Sequence, residues 1–114
     1  TLHLAAVFAN NFVNHFYGIA GKMLEKEELD FSLLRPLIFE TAHKVMLLSP
    51  EQAQTGPARR GDEGILNMHK SLLKDEPKLL KLYTLISDSI RETIQKTAEA
   101  KVEPENKPMM LTLW

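Results

Sequence analysis

Two sets of polar residues have the types and spacing to handle a substrate. Projected at about 100° per residue, His3, Asn10, Asn14, Tyr17 and Gly21 form one stripe of a helical segment, with Asn11 and His15 beside it. A histidine titrates near neutral pH and can give or take a proton, and an asparagine amide can donate and accept at once. The second set is the stretch Thr55-Gly56-Pro57-Ala58-Arg59-Arg60-Gly61-Asp62. Gly56 permits positive φ, Pro57 then fixes φ near about −65°, and Gly61-Asp62 reads as a turn running into a helix N-cap. Such a loop offers backbone N–H groups, a hydroxyl and two guanidinium groups to an anion or a polar substrate. Each set also has a plainer explanation. The stripe suits a buried helix whose amides bond backbone within its own domain. The loop suits an ordinary interhelical connection in which Arg60 pairs with Asp62 or Glu63.

Other chemistries find less support. No glycine-rich loop follows a strand, so neither a dinucleotide fingerprint nor a P-loop is present. His3, His15, His43 and His69 do not fall into a metal-ligand spacing with a carboxylate, and no metal is expected. No nucleophile-elbow pattern supports a serine triad.

The elements that must position the two sets are helical. Residues 2 to about 26 read as one long helix, with Ala5, Ala9, Phe12, Phe16, Ile19, Ala20 and Met23 on a broad apolar face expected to turn inward. No Asp, Glu, Lys or Arg occurs before Lys22. A solvated face normally carries charge, so this neutral polar stripe is expected to be covered by another element or a ligand. Asp30 or Ser32 starts a second helix running to about Leu48, with Leu34, Leu37, Ile38, Thr41, Ala42, Val45 and Leu48 inward. Ser49-Pro50-Glu51-Gln52 combines an N-cap, a first-turn proline and a capping box. Asp62 caps the next helix, which buries Ile65, Leu66, Met68, His69 or its stem, Leu72 and Leu73. Asp75-Glu76-Pro77 opens the last, striped by Leu79, Leu82, Tyr83, Ile86, Ile90 and Ile94. Residues 99–114 read as a polar linker with an apolar tail, Met109 to Trp114. No segment shows bounded period-2 alternation, so the chain is expected to be all-α.

Bulk composition agrees with a folded domain and narrows the partners. The 114 residues are 44% hydrophobic and 25% charged, ordinary values for one globular domain. A net charge of −1 gives no electrostatic case for nucleic acid or an anionic membrane. There is no cysteine, which rules out a disulfide framework and fits a cytoplasmic location. No apolar run reaches the ~18 residues of a membrane span.

His3-Leu4-Ala5-Ala6-Val7-Phe8-Ala9-Asn10-Asn11 opening a long helix, with the Thr55–Asp62 stretch some 45 residues on, resembles one bacterial family. Its members begin with a Rossmann-like NAD(P) domain and continue into a helical C-terminal domain. They are described as similar to pyrroline-5-carboxylate reductase or deazaflavin-dependent NADP reductase. The resemblance implies a helical bundle with one long N-terminal helix, like the C-terminal domain of 6-phosphogluconate dehydrogenase. It also implies that this helix lines the nicotinamide cleft and that helical domains pair two subunits. β-Hydroxyacid dehydrogenases of the wider superfamily carry a catalytic lysine one turn before an asparagine of this helix. Val7 stands at that place here, which leaves His3 as the nearby proton donor.

The resulting expectation is a helical substrate-side and dimerisation domain over residues 1–98. The N-terminal Rossmann-like domain is absent from this chain, and the chain alone binds no cofactor. The longer protein uses NADP or NAD on a small-molecule substrate and forms a homodimer. Within the chain, His3 is the expected proton donor. Asn10, Asn11, Asn14, Thr55, Gly56 and Arg60 bind substrate, while Pro57, Gly61 and Asp62 are structural. The competing class is a stand-alone helical protein-interaction module.

Overall fold

The structure is a computed structural model that describes residues 1–100, so the apolar tail lies outside the described residues. Helices account for all regular structure among them, and no strand occurs. The chain divides into two compact units, Thr1–His43 and a second beginning at Lys44.

The first unit opens with α1 (Leu2–Ala6), passes through a π-helical turn (Val7–Phe12) and continues as α2 (Val13–Lys26). The helix is thus as long as the periodicity requires but is not uniformly α. A π turn closes i→i+5 rather than i→i+4 and works as one extra residue in the ladder. Past it, every face is displaced by about 100° from a plain α projection.

The C-terminus of α2 closes as a Schellman motif. The Leu29 N–H donates to the Leu24 carbonyl at 2.9 Å, and the Glu28 N–H to the Glu25 carbonyl at 3.0 Å. Glu28 takes the left-handed position at φ 56°, where glycine is the usual occupant. Asp30 then caps the next start by accepting the Ser32 N–H at 2.7 Å. A 3-10 turn (Phe31–Leu34) leads into α3 (Arg35–Leu47). The bonds from Ser32 hold the Asp30 carboxyl below its ordinary pKa, and Arg35 adds to the effect.

In the second unit, Ser49 heads α4 (Pro50–Ala53) with both halves of the capping box formed, each at 3.2 Å. The Thr55–Asp62 stretch is more regular than an open loop. It holds α5 (Pro57–Arg60), one turn begun by Gly56 at φ 101° and closed by Gly61 at φ 67°. Asp62 caps α6 (Glu63–Leu72), its carboxylate accepting the Ile65 N–H at 3.2 Å. Glu63 at the start of α6 and His69 with Lys70 at its end complement the helix dipole. Last comes α7 (Pro77–Ala100). The turn α5 packs on α6 and α7, and α6 packs on α7. Ala58, Leu66 and Ser87 are the buried residues there, and Glu63 reaches Arg91 across α6 and α7.

Burial corrects the sequence reading of the apolar faces. No residue of 1–43 is fully buried. Phe12, Phe16 and Met23 are exposed, as are Leu37, Val45 and Leu48 of the second predicted face. In the second unit Leu66 is buried as expected, but Met68 and Leu72 are exposed. These faces are apolar and helical as read, but the residues just named stay exposed while Ile19, Ala20, Leu34 and Ile38 are half-buried.

Candidate functional site

The polar stripe and the Thr55–Asp62 segment belong to different units: His3, Asn10, Asn11 and Asn14 to the first, Thr55, Gly56 and Arg60 to the second. His3, Asn10, Asn11 and Asn14 are all exposed, and among the described residues no hydrogen bond engages their side chains. The alternative in which these amides are consumed by backbone of the same domain therefore does not hold. Their donors and acceptors face outward.

The π turn changes which of them align. Asn10 and Asn11 lie within it, while His3 precedes it and Asn14 follows. With one residue added to the ladder, a residue of α1 shares its face with i+8 rather than i+7. His3 therefore lines up with Asn11 and His15, whereas Asn10 and Asn14 form a neighbouring row. Nothing in residue types or spacing signals a π turn, which is why the sequence projection joined His3 to the wrong asparagines.

The second row runs into a groove. A depression of about 620 Å³ is lined by Asn14, Tyr17, Gly18 and Gly21 of α2, with Asp30 and Phe31 from the following turn. The two glycines play different parts. A Cβ on Gly21 would meet Phe31 Cδ1 at 3.3 Å, so this glycine lets the Phe31 ring lie on the helix. The guanidinium of Arg35 sits over that ring, 5.8 Å from its centroid. A Cβ on Gly18 would meet nothing within 4 Å. Gly18 is an open floor, not a packing necessity.

In the second unit, Pro57 fixes the first residue of α5, and Gly61 takes the left-handed conformation that frees Asp62 to cap α6. Thr55 is half-buried, and its carbonyl accepts from the Gln54 amide at 3.0 Å. Arg60 is exposed. Arg59, passed over in the sequence reading, is half-buried, and its Nε is shielded from solvent without a hydrogen-bond partner among the described residues. A buried guanidinium donor left open is costly, so Arg59 joins Arg60 as a candidate anion holder. Asp62 is spent on its cap.

A polar cluster that the sequence did not announce joins α6 to α7. His69 Nδ1 and the Tyr83 hydroxyl lie 2.8 Å apart with the rings edge to face, and Ser87 bonds the same phenol. Burial pushes the Tyr83 pKa up, and the Ser87 bond opposes part of that rise. Among the described residues no histidine, aspartate or glutamate group is arranged to hold a metal.

An all-α chain with an outward, uncharged amide row on a long helix and a glycine-framed arginine turn is the class that fold and site define. The family model described as a domain of unknown function, DUF2520, matches residues 1–90, and the chain belongs to that family. Among solved structures the chain is similar to the "putative NADP oxidoreductase BF3122 from Bacteroides fragilis", at 52% identity and a TM-score of 0.78. The match covers 80% of this chain and 35% of that protein, so the chain spans about a third of its relative's length. No curated protein matches the chain.

A dinucleotide does not fit these residues. Gly18 and Gly21 are inside α2, and Gly56, Gly61 and Gly64 do not follow a strand or keep the spacing that cradles a pyrophosphate. No helix among the described residues is long and apolar enough to cross a membrane.

Proposed function

We propose that this chain is the substrate-side and dimerisation part of a cytoplasmic NAD(P)-dependent oxidoreductase whose nucleotide is held by a Rossmann-like domain outside it. The observation that carries this reading is the 52% identity to a protein described as a "putative NADP oxidoreductase", over 80% of the chain. The outward amides of Asn10, Asn11 and Asn14 support a role in orienting a small polar substrate. His3 is the proton donor, with Asn11 the asparagine on its face. Thr55, Gly56 and Arg60 hold the substrate's charged or polar end, and Arg59 assists. The homodimer belongs to the same proposal, supported by apolar faces that solvent would otherwise wet.

Titration calorimetry tests the division of labour. The chain alone should bind neither NADPH nor NADH at micromolar concentration, and a micromolar site on it would overturn the proposal. In the longer protein, His3→Gln should lower kcat and flatten its pH dependence near neutrality, while Arg60→Ala should mainly raise KM. Full kcat for His3→Gln from pH ~5 to ~9 would remove His3 from its role.

The exposed apolar helix faces also favour a second reading, a helical module that binds another protein. Oxidoreductase activity in the longer protein, lost on removing this chain, would dismiss it.

A further inference from the structure

We infer that the apolar groove between α4 and α7 is the docking surface for this chain's own tail, residues 109–114, with Trp114 as the anchor. The inference goes beyond the oxidoreductase reading and does not depend on it. The groove holds about 270 Å³ and is lined by Pro50 and Gln54 at the two ends of α4 and by Ile86, Ile90, Thr93 and Ile94 of α7. The three isoleucines stand four apart and form one row along the helix. Ile86 is exposed, and Ile90 and Ile94 are half-buried. Beside them the Thr97 hydroxyl meets the Glu51 carboxylate at 3.4 Å and ties α7 to α4. The volume is below the ~300–1,000 Å³ of small-molecule sites and suits one or two large side chains instead. A buried tryptophan needs an acceptor for its indole N–H, and Gln54 and Thr93 bring a carbonyl and a hydroxyl oxygen to the groove.

The tail has the chemistry and the reach. Met109, Met110, Leu111, Leu113 and Trp114 are apolar, Thr112 is neutral, and no charge interrupts them. Water is a poor solvent for such a run. From Ile86 to Ile94 the groove follows α7 for about 12 Å, and six extended residues span about 20 Å. The helix then continues past Ile94 to Ala100, about 9 Å further. Residues 101–108 span up to about 26 Å, enough to turn back from Ala100 even to Ile86, about 21 Å away. Pro104 and Pro108 oppose an extension of the helix, which would carry the tail away. So short a linker presents the tail to its own groove at an effective concentration on the order of millimolar, well above that of a second copy's tail in a micromolar solution. The tail lies past residue 90, where the family match ends, so this contact is an addition to the family's domain. Gln54 also donates its amide to the Thr55 carbonyl at 3.0 Å, so a docked tail braces the start of the Thr55–Asp62 segment.

Trp114 is the only tryptophan of the chain, so its fluorescence reports on the tail alone. In the whole chain its emission should lie to the blue of free tryptophan, be shielded from iodide, and not change with protein concentration. Ile90→Glu should move the emission to that of free tryptophan with helicity retained by circular dichroism, while Leu72→Glu, at an exposed leucine of α6, should leave it unchanged. Because the chain has no cysteine, paired cysteines give a second measurement that puts no charge in the groove. A short bismaleimide should link Ser89→Cys to Leu113→Cys within one chain at least ~10-fold faster than it links Lys78→Cys to Leu113→Cys, the gain of a held end over a free one. Wild-type emission equal to that of free tryptophan would overturn the proposal. So would emission unmoved by Ile90→Glu, or a Ser89 pair that links no faster than the Lys78 pair. A blue shift that grows with concentration, or links that join two chains, would assign the groove to another copy's tail and overturn it equally.

Discussion

The chain closes two helices by the same motif, once with glutamate and once with glycine, and the pair makes a matched experiment. After α2, Glu28 takes the left-handed position at φ 56° while Leu29 and Glu28 donate back to Leu24 and Glu25. After α5, Gly61 takes it at φ 67° while Asp62 and Gly61 donate back to Pro57 and Ala58. Both residues are exposed, so neither substitution disturbs a packed side chain. A side chain in the left-handed region costs about 1–2 kcal/mol, and glycine loses about 0.5–1 kcal/mol more backbone entropy on folding. Glu28→Gly should therefore stabilise by about 0.5–1 kcal/mol, and Gly61→Ala should destabilise by a similar amount. For about 100 residues this is a rise of roughly 4 °C in Tm for the first and a similar fall for the second. Thermal unfolding followed at 222 nm, with urea midpoints as a second measure, reads both. If Glu28→Gly lowers stability while Gly61→Ala behaves as stated, the Glu28 side chain contributes more than its backbone strain costs, and the reasoning fails.

Two further outcomes follow from named contacts. Asp62→Ala should cost about 1 kcal/mol in urea unfolding and Asp62→Asn little, because an amide oxygen can still accept the Ile65 N–H; equal large losses would mean that charge, not capping, matters there. Tyr83 has its pKa raised by burial, so its neutral form stabilises the fold fully below its unfolded value near about 10 and that share is lost as pH rises through the folded pKa. Tyr83→Phe should remove this alkaline loss and, by leaving His69 Nδ1 without its partner, cost about 1 kcal/mol at neutral pH; a variant with the wild-type alkaline profile would refute it.

Local signals that rest on a residue and its near neighbours were legible in the sequence. Asp30, Ser49 with Gln52, and Asp62 each announced a helix start, and each side chain makes the predicted cap. The all-α character followed from periodicity for the same reason. Signals that depend on backbone register were not. Val7–Phe12 contains no proline or glycine to mark a π turn, so the plain projection sets His3 with Asn10 and Asn14 instead of Asn11. The direction of the apolar faces was misread because periodicity identifies a face that needs cover without saying what covers it. Arg59 and Arg60 looked alike as a pair, and only the fold of α5 separates a half-buried guanidinium from an exposed one. The contact between His69 and Tyr83 joins residues 14 apart on different helices, beyond the reach of any short motif.

The π turn also changes how this helix tolerates length variation. Losing one residue inside an ordinary helix rotates everything beyond it and scrambles the faces it presents. Within Val7–Phe12 the ladder already carries one residue more than an α-helix needs. Deleting Ala9 would return the segment to i→i+4 bonding with the helix unbroken and would leave α1 in phase with α2, because the i+8 neighbours become i+7 neighbours of a plain α-helix. A relative that differs by one such deletion would keep the long helix, the amides and the phenylalanines, and would still present His3 beside the same asparagine. The segment acts as a length buffer, a place where a single-codon deletion is absorbed while both halves of the helix keep their faces in register.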